Sequence, residues 1–338
     1  MGQNFISDTV NQTLLFPPSL HAWLPDDHLA RFVVDVVSAL DLDSIYASYR
    51  EKDGRGQSAY APEMMVRLLL YGYATGVYSS RRIEKHTWED VAFRYLSGDQ
   101  HPDHATLSEF RKRHLTALAG LFTQALLLCA KAGLVQLGHV SIDGTKIKAN
   151  ASKHKAMSYK RMTETEARLK QEINALLAAA EKADSAEITQ EANDKKQLLP
   201  MITQIEKNLA KKPGKVSSDA GYFSEANVTD ESVKDVDLYV ATGRDKHGAA
   251  VEASSGPPPP GASPKEAMRE KLRTEAGRAV YKMRKAIVEP VFGQIKEQRG
   301  FRRFSLRGKE NVSREWKLVC AVSNLLKLFR AGRVLEMA

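Results

Sequence analysis

The sequence predicts a mixed α/β protein, with a helical N-terminal domain followed by an α/β domain that carries a helical insertion. Three observations carry that expectation. Residues 1–135 hold apolar residues at helical spacing; three short β-rich runs, at 138–143, 215–219 and 236–242, come only after that point; and polar, Ala-rich helical stretches separate the first run from the second. The domains are accordingly placed at 1–135 and 136–338, with the insertion at about 156–212 and a Pro-rich linker at about 254–265. The 338 residues suit two or three units of ordinary size.

In chain order, helical periodicity marks residues 27–40, 61–75, 79–85 and 107–132. Pro62 sits where a first helical turn tolerates it. The run Tyr71-Gly-Tyr-Ala-Thr-Gly-Val-Tyr-Ser-Ser-Arg-Arg breaks two helices with glycine and restarts on Ser79 and Ser80, both good N-cap residues. A helix–turn–helix unit with Arg81 and Arg82 early in its second helix is one reading; a packed helical hairpin is the other. Pro102-Asp-His-Ala-Thr starts a further helix. The β-rich run at 138–143 ends on Asp143, and the run at 215–219 ends on Asp219. Four consecutive prolines, 257–260, can join neither a helix nor an inner strand. Residues 266–335 read as helical apart from a Gly-Phe-Arg-Arg-Phe break at 300–304.

Composition narrows the function classes. Hydrophobic residues at 43% and charged residues at 27% fit a globular chain, and no run of 18 apolar residues marks a membrane span. The start M-G-Q-N-F-I-S-D lacks the pattern of a secretory leader, and Cys129 and Cys320 in apolar runs read as small core residues rather than a disulfide framework or zinc site. A cytoplasmic, nucleoid-associated location is expected, with no membrane partner. The net charge of +9 favours a polyanionic partner. From Lys296 to Ala338 there are eleven Lys and Arg against Glu297, Glu310, Glu315 and Glu336, which makes either a solvated helix face or a phosphate-facing surface.

Short strands ending on carboxylates suit metal-dependent phosphoryl transfer, because strand ends bring acids distant in sequence to one rim of a sheet. Magnesium takes carboxylate oxygens and keeps several waters, so few acids suffice. Asp143 and Asp219 fit that description, and Glu289 lies in a helical run with Arg284, Lys285 and Lys296 nearby. Taken singly, each has a plainer reading: an aspartate after a strand is often an N-cap or turn residue, and Glu289 suits a surface ion pair. His104 and His154, without partners at ligand spacing, read as ordinary polar residues. Phe301, Phe304 and Trp316 are interleaved with arginines, which could support base stacking, yet Trp316 continues an apolar stripe through Leu318, Val319, Val322, Leu325, Leu326 and Phe329, which points to core packing.

Three runs resemble the bacterial insertion-sequence transposases of the DDE class: S-I-D-G-T-K-I-K-A-N-A-S around Asp143, D-A-G-Y-F-S-E-A-N around Asp219, and Y-K-M-R-K-A-I-V-E-P-V-F-G-Q-I-K around Glu289. The preceding region, with P-D-H-A-T-L-S-E-F-R, is similar to the helical domain that precedes the catalytic core in one branch of that class. The resemblance implies an RNase H-like core in which Asp143, Asp219 and Glu289 hold two magnesium ions, with manganese as a substitute. It implies cleavage of phosphodiesters at terminal inverted repeats and joining of the 3′ ends to target DNA, by a homodimer on double-stranded DNA. Tyr281, Arg284 and Lys296 resemble the class's Tyr–Arg–Glu–Lys signature and would bind DNA. Four residues separate Arg284 from Glu289 where the commonest signature has three, and Lys285 restores that spacing, so which cation plays the role stays open. Lys146 and Lys148 would touch the same DNA backbone.

An RNase H-like sheet opens with three consecutive strands. Here the chain passes from Asp143 into helical sequence and reaches Thr189-Gln-Glu-Ala-Asn-Asp-Lys-Lys-Gln with only 186–189 as a strand fragment. The expectation is a core lacking two central strands, and the alternative function is a catalytically inactive copy that acts as a DNA-binding protein. A general RNase H-like nuclease acting on RNA or branched DNA is a third reading.

Overall fold

The structure, a computed structural model, describes residues 19–50, 58–149, 194–243 and 261–332. The described residues form a mixed α/β fold, mostly helical, with one three-stranded parallel sheet. Contacts divide the chain into two units, Met1–Leu118 with Phe329–Ala338, and Ala119–Leu328.

The first unit holds α1 (Leu29–Ala39), α2 (Asp43–Arg50), α3 (Pro62–Thr75), α4 (Ser80–Glu89), α5 (Val91–Ser97) and α6 (His104–Arg113); α1, α4 and α5 pack on α3, and α6 packs on α4. Met65, Val66, Leu68, Leu69 and Tyr73 are buried on every side of α3, so it is a core helix rather than a surface one. Pro62 occupies its first turn and Gly76, at φ 81°, closes it in the left-handed region that glycine adopts without strain. Ser79 takes the N-cap position of α4 but its side chain makes no capping bond; Asp90 and Asp103 do cap α5 and α6, each accepting two backbone N–H bonds. The helix expected over 107–132 is two helices, α6 and α7 (Leu115–Lys131), separated at His114.

In the second unit, β1 (His139–Ile142), β2 (Lys215–Ser218) and β3 (Asp237–Val240) pair in parallel in that order. Val140, Val216 and Leu238 lie in one row across the sheet, and Ile142, Ser218 and Val240 in the next. That face packs on Leu198 and Ile202 of α8 (Leu198–Leu209) and on Met268 of α10 (Pro264–Arg273). A short helix, α9 (Glu225–Thr229), precedes β3. Helix α11 (Glu275–Gly293) contacts all three strands, passes over Pro290 and ends in a π-helical turn at Gln294–Gln298. After the break at 300–304, α12 (Lys309–Arg330) buries Leu318, Val319, Val322 and Leu325 of the expected apolar stripe, with Leu328 beside them, while Leu326 and Phe329 of that stripe are half-buried. Trp316 sits edge-on to Phe304 on that helix, and Cys129 is buried.

No described strand pairs with the outer edge of β1. Beyond Asp143 the chain makes an isolated parallel bridge instead, with Lys148 N–H donating to Arg302 O at 3.1 Å and Phe304 N–H to Lys148 O at 3.0 Å. A groove of 1140 Å³ runs beside this segment, lined by Ile142, Ile147, Val288, Phe292, Phe304 and Trp316 among others. The strand fragment at 186–189, His154 and most of the expected insertion and linker lie outside the described residues. The linker's last two positions, Pro264 and Lys265, begin α10, where Ser263 and Glu266 form a capping box. Among the described residues no single helix is long and apolar enough to cross a membrane.

Candidate active site

Parallel strands release their next residues along one edge, and here that edge carries acids. Ile142 pairs with Ser218, so Asp143 and Asp219 leave neighbouring strands side by side, at the strand spacing of about 4.8 Å. The two carboxylates are engaged differently. Asp143 Oδ1 accepts from the Gly144 N–H at 2.8 Å, and Oδ2 accepts from Arg284 Nη1 at 2.8 Å. Arg284 reaches it from α11 with only 14% of its side chain exposed, against 22% for Asp143. Asp219 Oδ1 caps the turn Ala220–Tyr222 through the Gly221 N–H at 2.8 Å, so the plainer reading of this aspartate holds for one of its oxygens. Its Oδ2 meets no donor among the described residues.

A third acid stands close by. Asp194, in the 3-10 turn Asp194–Gln197, places Oδ2 3.7 Å from where a Cβ on Gly144 would lie, and equally far from one on Gly221. Burial first, and then the charges of Asp194, Asp219 and Asp143, push the Tyr222 hydroxyl well above its ordinary pKa. On α11, burial raises the Tyr281 hydroxyl, with Arg284 opposing and Asp219 and Asp143 adding to the rise. Tyr222, Tyr281, Arg284 and the three aspartates therefore share one electrostatic environment.

Glu289 is in a different position. Tyr281, Arg284 and Val288 are spaced to face the sheet, whereas Glu289 lies one residue past Val288 and is exposed, with Lys282 and Lys285 exposed on the same side of α11. Lys296 falls in the π-helical turn, half-buried. Of the signature cations, Arg284 is the one that meets an acid, and Lys285 faces solvent. Lys146 and Lys148 are exposed beyond Asp143, and Arg81 and Arg82 are exposed in the first turn of α4. His104 pairs with Glu84 at 2.7 Å, in keeping with an ordinary polar role.

Carboxylates on two neighbouring strand ends are donors of the kind magnesium takes. Their arrangement is another matter: among the described residues no three His, Cys, Asp or Glu side chains are disposed to hold a metal ion. The cation against Asp143 is a guanidinium, and Glu289 points to solvent. As arranged here, the residues do not fit a two-metal centre.

Two family models match the chain. One, described as a transposase domain (DUF772), covers residues 18–113; the other, described as a transposase DDE domain, covers 246–329. The chain belongs to the insertion-sequence transposases of the DDE class. No curated protein and no solved structure matches it. The DDE match includes Tyr281, Arg284, Lys285, Glu289 and Lys296 of this transposase, and the N-terminal match includes Arg81 and Arg82; Asp143 and Asp219 lie between the two. Transposases act on DNA, and the DDE class generally uses divalent metal ions.

Sequence reasoning missed Asp194, which lies inside a run read only for its lack of strands, and Tyr222, which was legible as the tyrosine of D-A-G-Y. It also missed Glu315, counted with the surface charges of the C-terminal segment but fully buried, where it accepts the Ser305 N–H at 3.0 Å and the Leu306 N–H at 3.1 Å.

Proposed function

We propose that this transposase cleaves phosphodiester bonds at the terminal inverted repeats of its element and joins the freed 3′ ends to target DNA, as a homodimer on double-stranded DNA. The observation that carries the reading is the pair Asp143 and Asp219 at the ends of adjacent parallel strands, crossed by the helix that bears Arg284 and Glu289. Parallel order with acids on the first two strand ends supports an RNase H-like core. Asp143, Asp219 and Glu289 are the proposed catalytic acids; magnesium or manganese is the cofactor the family implies, although the arrangement here, with Arg284 against Asp143 and Glu289 exposed, does not fit two ions. Tyr281, Arg284, Lys285 and Lys296, with Lys146 and Lys148, are the proposed DNA contacts on the core, and Arg81 and Arg82 on the N-terminal domain.

The test uses purified protein and a duplex bearing the repeats that flank its gene, with magnesium or manganese. Cuts at the repeat ends, lost in Asp143→Ala, Asp219→Ala and Glu289→Ala, are the expected outcome. Cleavage that survives all three substitutions overturns the assignment of acids, and cleavage without preference for repeat ends points to a general nuclease.

A second reading, an inactive copy that binds DNA, is favoured by the Arg284–Asp143 pair and the exposed Glu289. It predicts salt-sensitive binding by a well-folded parent protein that cuts nothing under either metal.

A further inference from the structure

The third strand end differs from the first two. Where β1 and β2 release Asp143 and Asp219, β3 runs out through Ala241, Thr242 and Gly243 into a cavity of 460 Å³ with cationic walls. Lys265, Arg269 and Arg273 line it from α10, at four-residue spacing on one face, and Arg278 and Lys282 line it from α11, also four residues apart. Tyr281 completes the wall, and Ala241, which also lines it, donates its N–H to Ser218 O at 3.3 Å, one residue before Asp219, so the cavity continues the acidic edge.

The cavity is built by the packing of its walls. Lys271 fixes α10 to β3: its ammonium donates to the Asp237 carboxylate and to Leu238 O, and lies 4.4 Å from the centre of the Tyr239 ring. The corner between the two helices closes on Gly277, where a Cβ would stand 1.9 Å from Lys271 O, so no side chain fits there. Arg273 is held by Glu270 at 3.0 Å. Glu266 is occupied in the capping box with Ser263. Lys265, Arg269 and Lys282 have no carboxylate within ion-pair reach among the described residues and are exposed, so they contribute nothing visible to folding while repelling one another. An arrangement of that kind suits an anionic ligand at the carboxyl end of a parallel sheet.

We propose that this cavity binds phosphates of the nucleic-acid strand that runs on from the bond placed at Asp143 and Asp219; the identity of the polymer rests on the transposase reading. Two sources share the chemistry, a phosphodiester backbone and a free nucleotide. The volume falls within the range of about 300–1,000 Å³ typical of small-ligand sites, so size alone admits either. Continuity with the acidic edge, through the Ala241 bond to Ser218 beside Asp219, favours the backbone.

The experiment is fluorescence anisotropy on the full chain without divalent metal, using a fluorescein-labelled duplex that carries one inverted repeat, across a salt series. Lys265→Gln/Arg269→Gln is compared with Lys207→Gln, a cation of similar exposure on α8, and thermal melts check that all variants fold. Each cation withdrawn from a phosphate lowers the salt slope by about 0.9, so the double variant should drop nearly two units of slope and bind roughly tenfold or more weakly. Slope and affinity equal to those of Lys207→Gln would overturn the proposal. So would displacement of the duplex by micromolar thymidine monophosphate, because that marks a free-nucleotide site. The outcome is separable from the cleavage test: a protein that never cuts but loses binding in the double variant keeps the cavity and loses the enzyme, and a protein that cuts with binding unchanged does the reverse.

Discussion

Asp143 and Asp219 are the same residue one strand apart, and their different engagement has consequences for stability. Unit charges about 5 Å apart repel by roughly 3 kcal/mol at an effective dielectric of about 20. Arg284 offsets that repulsion at Asp143 only. Removing it leaves a largely buried carboxylate facing a second one, so Arg284→Gln should destabilise the protein by about 1–3 kcal/mol. Asp143→Asn in the same chain should recover most of the loss, because the uncompensated charge is gone. Urea unfolding of the two single variants and the double variant measures the coupling. A stable Arg284→Gln protein would show that the pair is incidental to the fold. Thiols give a simpler residue-scale expectation. Burial pushes the half-buried Cys320 up to about 12 and also raises the buried Cys129, so little of either is thiolate at pH 8 and both should react slowly with iodoacetamide in the native protein. Rapid labelling, followed by mass spectrometry, would contradict that burial.

At the scale of elements, α10 depends on a small clasp. Burial raises the Asp237 carboxyl, but hydrogen bonds from Lys271 and Tyr239 and the charges of Lys271 and Lys215 outweigh it and leave the pKa lowered. A carboxylate depressed in the folded state adds stability above its unfolded value, near 3.9, and that stability disappears as pH falls through the folded value. The side chains are 36% and 41% exposed, so solvent screening limits the contribution to about 1 kcal/mol or less at pH 7. Asp237→Asn should therefore be weaker than the parent at pH 7, and the gap should narrow as pH falls below about 4; a gap that does not narrow assigns the loss to something other than charge. Much of this level was readable from the sequence. Pro62, the glycine break at 76 and the three β-rich runs are local signals, and each marks an element boundary. The corner at Thr274 was not read from the sequence, because Glu275 and Ala276 are good helix formers and a single glycine at 277 is a weak break; the Thr274 cap on Gly277 N–H and the close approach of Lys271 O to Gly277 show the turn. S-P-K-E at 263–266 is a capping box on inspection, yet the neighbouring prolines drew it into the linker. The site divides the same way: strand-terminal acids follow from local pattern, whereas the Arg284–Asp143 contact joins residues 141 apart and depends on how α11 crosses the sheet.

For the molecule as a whole, the excess of nine positive charges and the acidic strand edge act in opposition on a DNA backbone. Lysines and arginines draw phosphates in; Asp143 and Asp219 repel them wherever no metal screens the carboxylates. Removing one negative charge about 5 Å from a phosphate is worth roughly 0.8 kcal/mol in water, or about fourfold in affinity. Asp219→Asn should give a gain of that size in metal-free buffer. Asp143→Asn should give a larger one, because it removes a negative charge and also releases the Arg284 guanidinium to pair with phosphate. The expected order of affinity is Asp143→Asn, then Asp219→Asn, then the parent, measured by anisotropy at low ionic strength, where the screening length is longest. As salt rises through about 0.15 M, where screening acts over roughly 8 Å, the three values should converge. If Asp143→Asn binds no better than Asp219→Asn, Arg284 is not freed toward DNA, and its pairing with Asp143 serves only the fold. If both variants bind as the parent does, the phosphates do not pass along the carboxyl edge of the sheet, and the DNA path lies elsewhere on the basic surface.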